Sequence, residues 1–226
     1  MIATPFLASA VGAGGAWATT TSIFHAHRIE VTGAVHLTRA EVLRAAGVSG
    51  STNVVWTAPA RVAASLESNP WIASATVTRD LPSTLRIRVT ERTPASAVLV
   101  GSTWFLLAGD GIVLGPARGR SHLPALPTTD RLTVGDRAAA LAVPAAVAGS
   151  MDSWLRRRVA AVIPGTDGTV ELALASGARV LFGTPSEVRA KDQALVGVLS
   201  WAAARGTRLG TIDVRSPIAP AAVPLG

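Results

Sequence analysis

NPWIASATVTRDLPSTLRIRVTER, residues 69–92, holds two strands and the turn between them. In Thr84 to Arg92, Leu85, Ile87 and Val89 alternate with Thr84, Arg86, Arg88 and Thr90. Side chains alternate faces along a strand, so this period of two gives one apolar face and one wetted face. Trp71 to Arg79 reads as the preceding strand, and Asp80-Leu81-Pro82-Ser83 as the turn of a hairpin. Asn69-Pro70 breaks whatever helix comes before.

Reading outward toward the amino end, Ala58 to Glu67 is a helix with Thr57 as its cap, Pro59 in its first turn, and Val62 and Leu66 on one face. Before it, Thr38-Arg39-Ala40-Glu41 is a capping box opening a helix that buries Val42, Leu43 and Ala46 and stops at Gly47. His27 to Val31 is a strand ending at Gly33. The order is strand, helix, helix, strand, strand.

Past Pro94 the pattern changes to short strands: Ala97–Val100, Trp104–Leu107 and Ile112–Leu114, with Gly109-Asp110-Gly111 as a tight turn. Leu123-Pro124-Ala125-Leu126 leads into a Thr-rich loop. Asp136 to Ala148 is Ala-rich and reads as helix. Arg156–Ile163, Thr169–Leu174 and Arg179–Phe182 read as strands joined at Asp167-Gly168 and Ser176-Gly177. Thr184-Pro185-Ser186-Glu187 looks like a second capping box, opening a long helix with Val188, Leu195, Leu199 and Ala202 on one face and Gly206 as its end. Thr211 to Arg215 is a last strand, followed by a Pro/Ala-rich tail.

Two stretches carry a resemblance: RIEVTGAVHLTRAEV (28–42) and NPWIASATVTRDLPSTLRIRVTERTPASAV (69–98). The V-x-G after the first strand, the N-P-W turn, the R-x-x-P-x-T-L hairpin and V-x-E-R-x-P at the exit resemble, in order and spacing, the POTRA domain of the FtsQ/DivIB cell-division family. The second half is also similar, at Asp110-Gly111, Leu123-Pro124, Ser176-Gly177, Lys191 and Ile212-Asp213-Val214-Arg215. The resemblance runs over about residues 24–216 and is looser across 117–165. It implies an α+β fold: an N-terminal transmembrane helix (2–24), a β-α-α-β-β POTRA domain (25–94), a mixed β domain with a long helix (95–216) and a Pro/Ala-rich tail (217–226).

Residues Ile2 to Phe24 contain no charge. As a helix they would span roughly 30–35 Å, enough for a bilayer core, which supports a membrane anchor. Ala8-Ser9-Ala10 keeps a cleaved signal peptide open, although nothing basic precedes the stretch. The nearest cation, Arg28, lies on the carboxyl side, against the orientation that places the body outside. A basic tail ahead of Met1 would restore it. Gly12, Gly14 and Gly15 follow no strand and precede no Lys-Ser/Thr pair, so they are not a phosphate loop.

The absence of cysteine excludes disulfide frameworks, thiolate zinc sites and cysteine nucleophiles. The formal charge is +7, nearly all from arginine spread along the chain, with Arg156-Arg157-Arg158 the one tight cluster. No basic run is interleaved with aromatics, so no nucleic-acid partner is expected. No G-x-S-x-G elbow and no close carboxylate pair occur, and His25-x-His27 has no acidic or thiol partner nearby. The reading is therefore of no enzyme, no catalytic, cofactor or metal site, and no small-molecule substrate. Trp71 and Trp104 adjoin apolar strand positions and read as core; Trp56, Trp154 and Trp201 read as either core or surface anchors.

The family resemblance implies a divisome scaffold in the inner membrane, single-pass, with its folded domains outside the cytoplasm at the septum. It would connect early and late division proteins through an FtsB–FtsL pair, and through that pair FtsW- and FtsI-like wall synthases. The physical mode would be addition of a partner strand to a sheet edge. The expected edge is Thr211, Ile212, Asp213, Val214, Arg215 and Ser216, extending into Pro217–Val223, with Ser216 standing where some relatives carry an aromatic and Pro217, Pro220 and Pro224 lacking ladder donors. Glu41, Arg44, Arg61 and Glu67 on the two short helices are the expected recruitment surface. The alternative is a POTRA-type secretion or transport chaperone, which would bring tandem strand-helix-helix-strand-strand units or a β-barrel; the second half shows neither pattern.

Overall fold

The structure, a computed structural model, describes residues 21–225. The chain divides into two compact units, one running to Arg92 and one beginning at Thr93. The expected membrane helix lies almost wholly outside the described residues; within them, Ser22–Phe24 forms a single 3-10 turn, and no described helix is long and apolar enough to cross a membrane.

In the first unit β1 (Arg28–Thr32), α1 (Arg39–Ala46), α2 (Pro59–Glu67), β2 (Ile72–Asp80) and β3 (Thr84–Glu91) follow in the order read from the sequence. The sheet order is β1-β3-β2, with β1 parallel and β2 antiparallel to β3. Leu85, Ile87 and Val89 of β3 are buried beneath Val42, Ala46 and Leu66 of the helices, while Arg86, Arg88 and Thr90 face out. The capping box at Thr38 forms: Thr38 Oγ1 accepts from Glu41 N at 3.3 Å and Glu41 Oε2 accepts from Thr38 N at 2.8 Å. Gly47 ends α1 in the left-handed region, where a Cβ would be strained.

Three family-like motifs acquire physical meaning here. Gly33 has φ +85° and lies where any Cβ would strike the carbonyl of Val89. Glu91 accepts from the backbone N–H groups of His36 (2.7 Å) and Leu37 (2.9 Å), tying the β1–α1 loop to the end of β3. Arg92 donates to the carbonyls of Pro70 and Ile72, and Asn69 Oδ1 accepts from Trp71 N, which fixes the N-P-W turn. Trp71 is half-buried and stacks on His36 with centroids 3.7 Å apart. Thr57 does not cap α2; that position falls to Ala58, because the Thr57 hydroxyl donates to Asn53 O at 2.6 Å and closes the preceding loop instead.

The second unit contains β4 (Pro94–Val100), β5 (Thr103–Ala108), β6 (Val113–Ala117), α3 (Ala142–Ser150), α4 (Ser153–Arg156), β7 (Val159–Pro164), β8 (Val170–Leu174), β9 (Arg179–Gly183), α5 (Val188–Ala204), β10 (Leu209–Asp213) and β11 (Ala221–Pro224). Among the described residues the strands form two ladders, β6-β5-β4 and β7-β8-β9-β10-β11. Pro124 to Leu126, read as the approach to a loop, joins them: Ala97 N donates to Pro124 O and Leu126 N to Ala97 O, while Ala125 N donates to Ala160 O and Val162 N to Ala125 O, each at 2.9 Å. The two ladders are thus one continuous surface, with Val98, Leu107, Leu172, Val180, Phe182 and Ile212 in a core shared with Leu195 of α5 and Ala145 and Val147 of α3.

Four sequence expectations change. The helix expected from Asp136 begins at Ala142 after a 3-10 turn, since Asp136 O accepts from Val113 N and draws that segment to the sheet. Arg156 ends a short helix rather than starting a strand, because Asp152 Oδ1 accepts from Leu155 N at 2.8 Å and caps it. The second capping box does not form. Glu187 is left-handed at φ +52°, α5 begins at Val188, and the carbonyl of Thr184 accepts from the buried Lys191 Nζ at 2.8 Å. Finally, the tail beyond 216 is not outside the sheet, because it supplies β11.

Candidate partner interface

The Thr211–Val214 part of the expected edge is not an edge, whereas its extension toward Val223 reaches the terminal strand β11. Thr211, Ile212 and Asp213 pair in parallel with Arg179, Val180 and Leu181 of β9 on one side and antiparallel with Val223, Ala222 and Ala221 of β11 on the other. Ile212 and Val214 are fully buried, and Val214 N donates to Leu181 O. Arg215 and Ser216 lie in the connection to β11. A strand paired on both sides has no backbone groups left for a partner, so a strand arriving at this end of the sheet must meet β11.

The outer side of β11 can be read from its hydrogen bonds. Leu225 donates its N–H to Arg208 O at 2.8 Å, so its backbone faces β10. Backbone groups alternate sides along a strand. Val223 and Ala221 therefore also face β10, and Pro224 and Ala222 face away. Proline at an outward position suits an edge, because it lacks only a donor that would have pointed at solvent. The free edge offers the carbonyls of Ala222 and Pro224 and one N–H, that of Ala222. Pro220, just ahead of the strand, adds no donor.

Beside this edge runs an apolar groove of about 460 Å³ between α5 and β11, lined by Ala194, Gly197, Val198, Trp201, Pro220 and Ala222. Trp201 is 47% exposed on this part of the surface. Small residues on α5 keep the groove open, and Trp201, with Arg205 stacked 4.8 Å from its ring centre, stands at one end. A strand added to β11 would set alternate side chains over this groove.

Arg215 already has a partner. Its Nε donates to Asp213 Oδ1 at 3.0 Å and its Nη2 to Oδ2 at 2.6 Å. The hydrogen bonds from the guanidinium hold the Asp213 carboxyl below the usual carboxylate range and raise Arg215 in turn. Gly183, at φ +75°, leaves room for the Arg215 stem, since a Cβ there would lie 3.0 Å from its Cγ. Arg215 is thus a guanidinium held in place by Asp213, and an incoming carboxylate would have to share or displace that pair.

On the first unit, Glu41 is engaged in the cap of α1, and Glu67 Oε1 accepts from Ala75 N at 2.9 Å. Both carboxylates hold structure. The side chains of Arg44 and Arg61 are exposed and make no hydrogen bond or ion pair, so of the four expected recruitment residues these two have free side-chain donors. Among the described residues no group of three His, Asp or Glu is placed to hold a metal, and His27 is hydrogen-bonded to Ser22 O instead.

A family model described as "POTRA domain, FtsQ-type" matches residues 24–92. Over 206 residues the chain is 30% identical to the cell division protein FtsQ of Streptomyces collinus, covering 86% of this chain and 76% of that protein. It is 29% identical over 200 residues to FtsQ of Mycolicibacterium smegmatis, covering 88% of this chain and 57% of the relative. It is 34% identical over 109 residues to FtsQ of Syntrophotalea carbinolica, covering 48% and 39%. The chain spans less than two thirds of the length of most of the curated relatives it matches.

Proposed function

The chain belongs to the FtsQ family of cell-division proteins, and from that premise we propose that it is a non-enzymatic scaffold of the division machinery that takes a partner strand along the outer edge of β11. The observation that carries the reading is the free edge itself, a strand with unpaired outward carbonyls beside an apolar groove. Backbone hydrogen bonds would supply the register of the complex, and side chains entering the groove would supply specificity. The partner is an FtsB–FtsL-like pair, and through it FtsW- and FtsI-like wall synthases. The chain would be held in the cell membrane by residues 2–24, with both folded units outside the cytoplasm at the septum.

The site differs from the one expected from sequence by one strand. Thr211 to Val214 serve as the inner neighbour that holds β11 in place, and Arg215 with Ser216 flanks the edge. Ala222→Pro removes the one outward N–H of β11 without touching a bond to β10. Capture of an FtsB-like partner by this variant should fall at least tenfold while circular dichroism stays unchanged. Capture equal to that of the unaltered chain would refute the edge.

A further inference from the structure

A second trough lies on the β unit, at the β8–β9 turn rather than at the β11 edge. One part of it, about 310 Å³, is walled by Trp154 and Arg158, and another, about 470 Å³, by Arg208 and Leu225. Both share Ser176, Leu199 and Ala203, so they form one continuous floor between α5 and the β8–β9 turn. That floor is made of alanine, leucine and serine. The charges sit toward its ends: Arg158 at one and Arg208 at the other.

Among the described residues neither Arg158 nor Arg208 has an acidic partner. The described ion pairs engage Arg28, Arg86, Arg179 and Arg215, whereas Arg157, Arg158, Arg205 and Arg208 make none. No residue lining either part of the trough is acidic. Arg158 is held rather than free-swinging: its guanidinium lies 3.6 Å from the ring centre of Trp154, and its Nη1 donates to Trp154 O at 3.1 Å. A fixed planar guanidinium keeps its remaining donors oriented for a carboxylate at small entropic cost.

We propose that this trough is a docking site for an acidic amphipathic peptide segment of a protein partner, with apolar side chains on the Leu199–Ala203 floor and carboxylates at Arg158 and Arg208. Charge complementarity selects this occupant. A lipid carries its charge at one end only, and a polyanionic glycan has no use for an apolar floor between two cations. The site rests on different residues from the β11 edge and stands or falls separately from it.

The test uses the full chain and a fluorescein-labelled peptide with a Glu pair at each end of a Leu-Ala-Leu-Leu middle. Anisotropy is read at low and moderate salt, against the same peptide with Gln for Glu and against phosphatidylglycerol vesicles. Binding should weaken about tenfold or more in the double variant Arg158→Glu, Arg208→Glu, weaken with salt, and fall with the Gln peptide. Ala203→Trp, which fills the floor at an exposed helix position, should weaken it without a charge change, and Ala222→Pro should leave it intact. Equal binding of the Gln peptide, indifference to the double variant, or absence of peptide binding would each overturn the proposal. Binding to the vesicles alone would overturn it in favour of a membrane contact.

Discussion

At the scale of single residues, polar groups that hold the fold are separable from those free to bind. Glu91 belongs to the first kind. Burial opposes its charged form, but the N–H donors of His36 and Leu37 outweigh that and hold its pKa down. A depressed carboxyl stabilises the native state above its unfolded pKa, and that stabilisation is lost as pH falls through the folded value. Glu91→Gln should therefore lower stability near pH 7 by about 1–2 kcal/mol, with the gap from the unaltered chain closing in acid melts. Asp192 runs the other way. It is 7% exposed, its Oδ1 has no partner, and burial with the nearby Asp152 charge pushes its pKa up to about 6. The native state is then penalised by the ionised group above about pH 6. Asp192→Asn should raise the melting temperature at pH 8, and the gain should shrink below pH 6 and vanish once the unfolded carboxyl is also protonated. Arg215 lies between the two kinds, being exposed at the surface yet already paired with Asp213. Arg215→Glu would set a second carboxylate beside that of Asp213 and should weaken partner capture about tenfold or more, with little effect on the core, since Arg215 is exposed.

At the scale of elements, the legibility of the sequence followed the locality of the signal. α1 was readable because its cap, its apolar positions and its stop lie within ten residues of one another. β3 was readable because Leu85, Ile87 and Val89 repeat with period two. The misread elements are those where a distant group won. Thr184-Pro185-Ser186-Glu187 has the residues of a capping box, yet the Thr184 carbonyl is engaged by Lys191 and the helix starts one turn later. Thr57 was spent on Asn53, and Asp136 on β6. β11 reads from sequence only as an extension of the Thr211–Ser216 edge into a Pro/Ala-rich tail, because its composition argues against a separate strand. The signal that could have found it is Pro220, Ala222 and Pro224 at even spacing, which places both missing donors on one side. Gly210 opposite it is a close approach: a Cβ there would lie 3.3 Å from Leu225 Cδ1 and 3.7 Å from the Val223 carbonyl. Gly210→Val should thus loosen β11 selectively, seen as faster amide exchange at Ala221 and Val223 while β8 and β9 stay protected.

At the scale of the whole molecule, the first unit carries the FtsQ-type POTRA domain and the second carries the free sheet edge. If the exposed Arg44 and Arg61 serve recruitment, reversing both charges should disperse a fluorescent fusion from midcell while leaving partner capture at β11 unchanged. Depletion of the whole chain should give filaments with blocked septa, and normal division after depletion would remove the divisome reading altogether.

The sequence by itself determined the order of elements in the first unit, the alternation of β3, the cap of α1 and the family to which those motifs point, because each depends on residues close together in the chain. It also placed the candidate interface in the last strands. Only the tertiary structure decided which strand is outermost. Edge status is a property of pairing, and pairing between β10 and β11 depends on the chain turning back through Pro217 to Pro220, which no periodicity within either strand records. The same holds for Pro124 to Leu126, whose place between β4 and β7 is set by hydrogen bonds to residues about 30 positions away on either side.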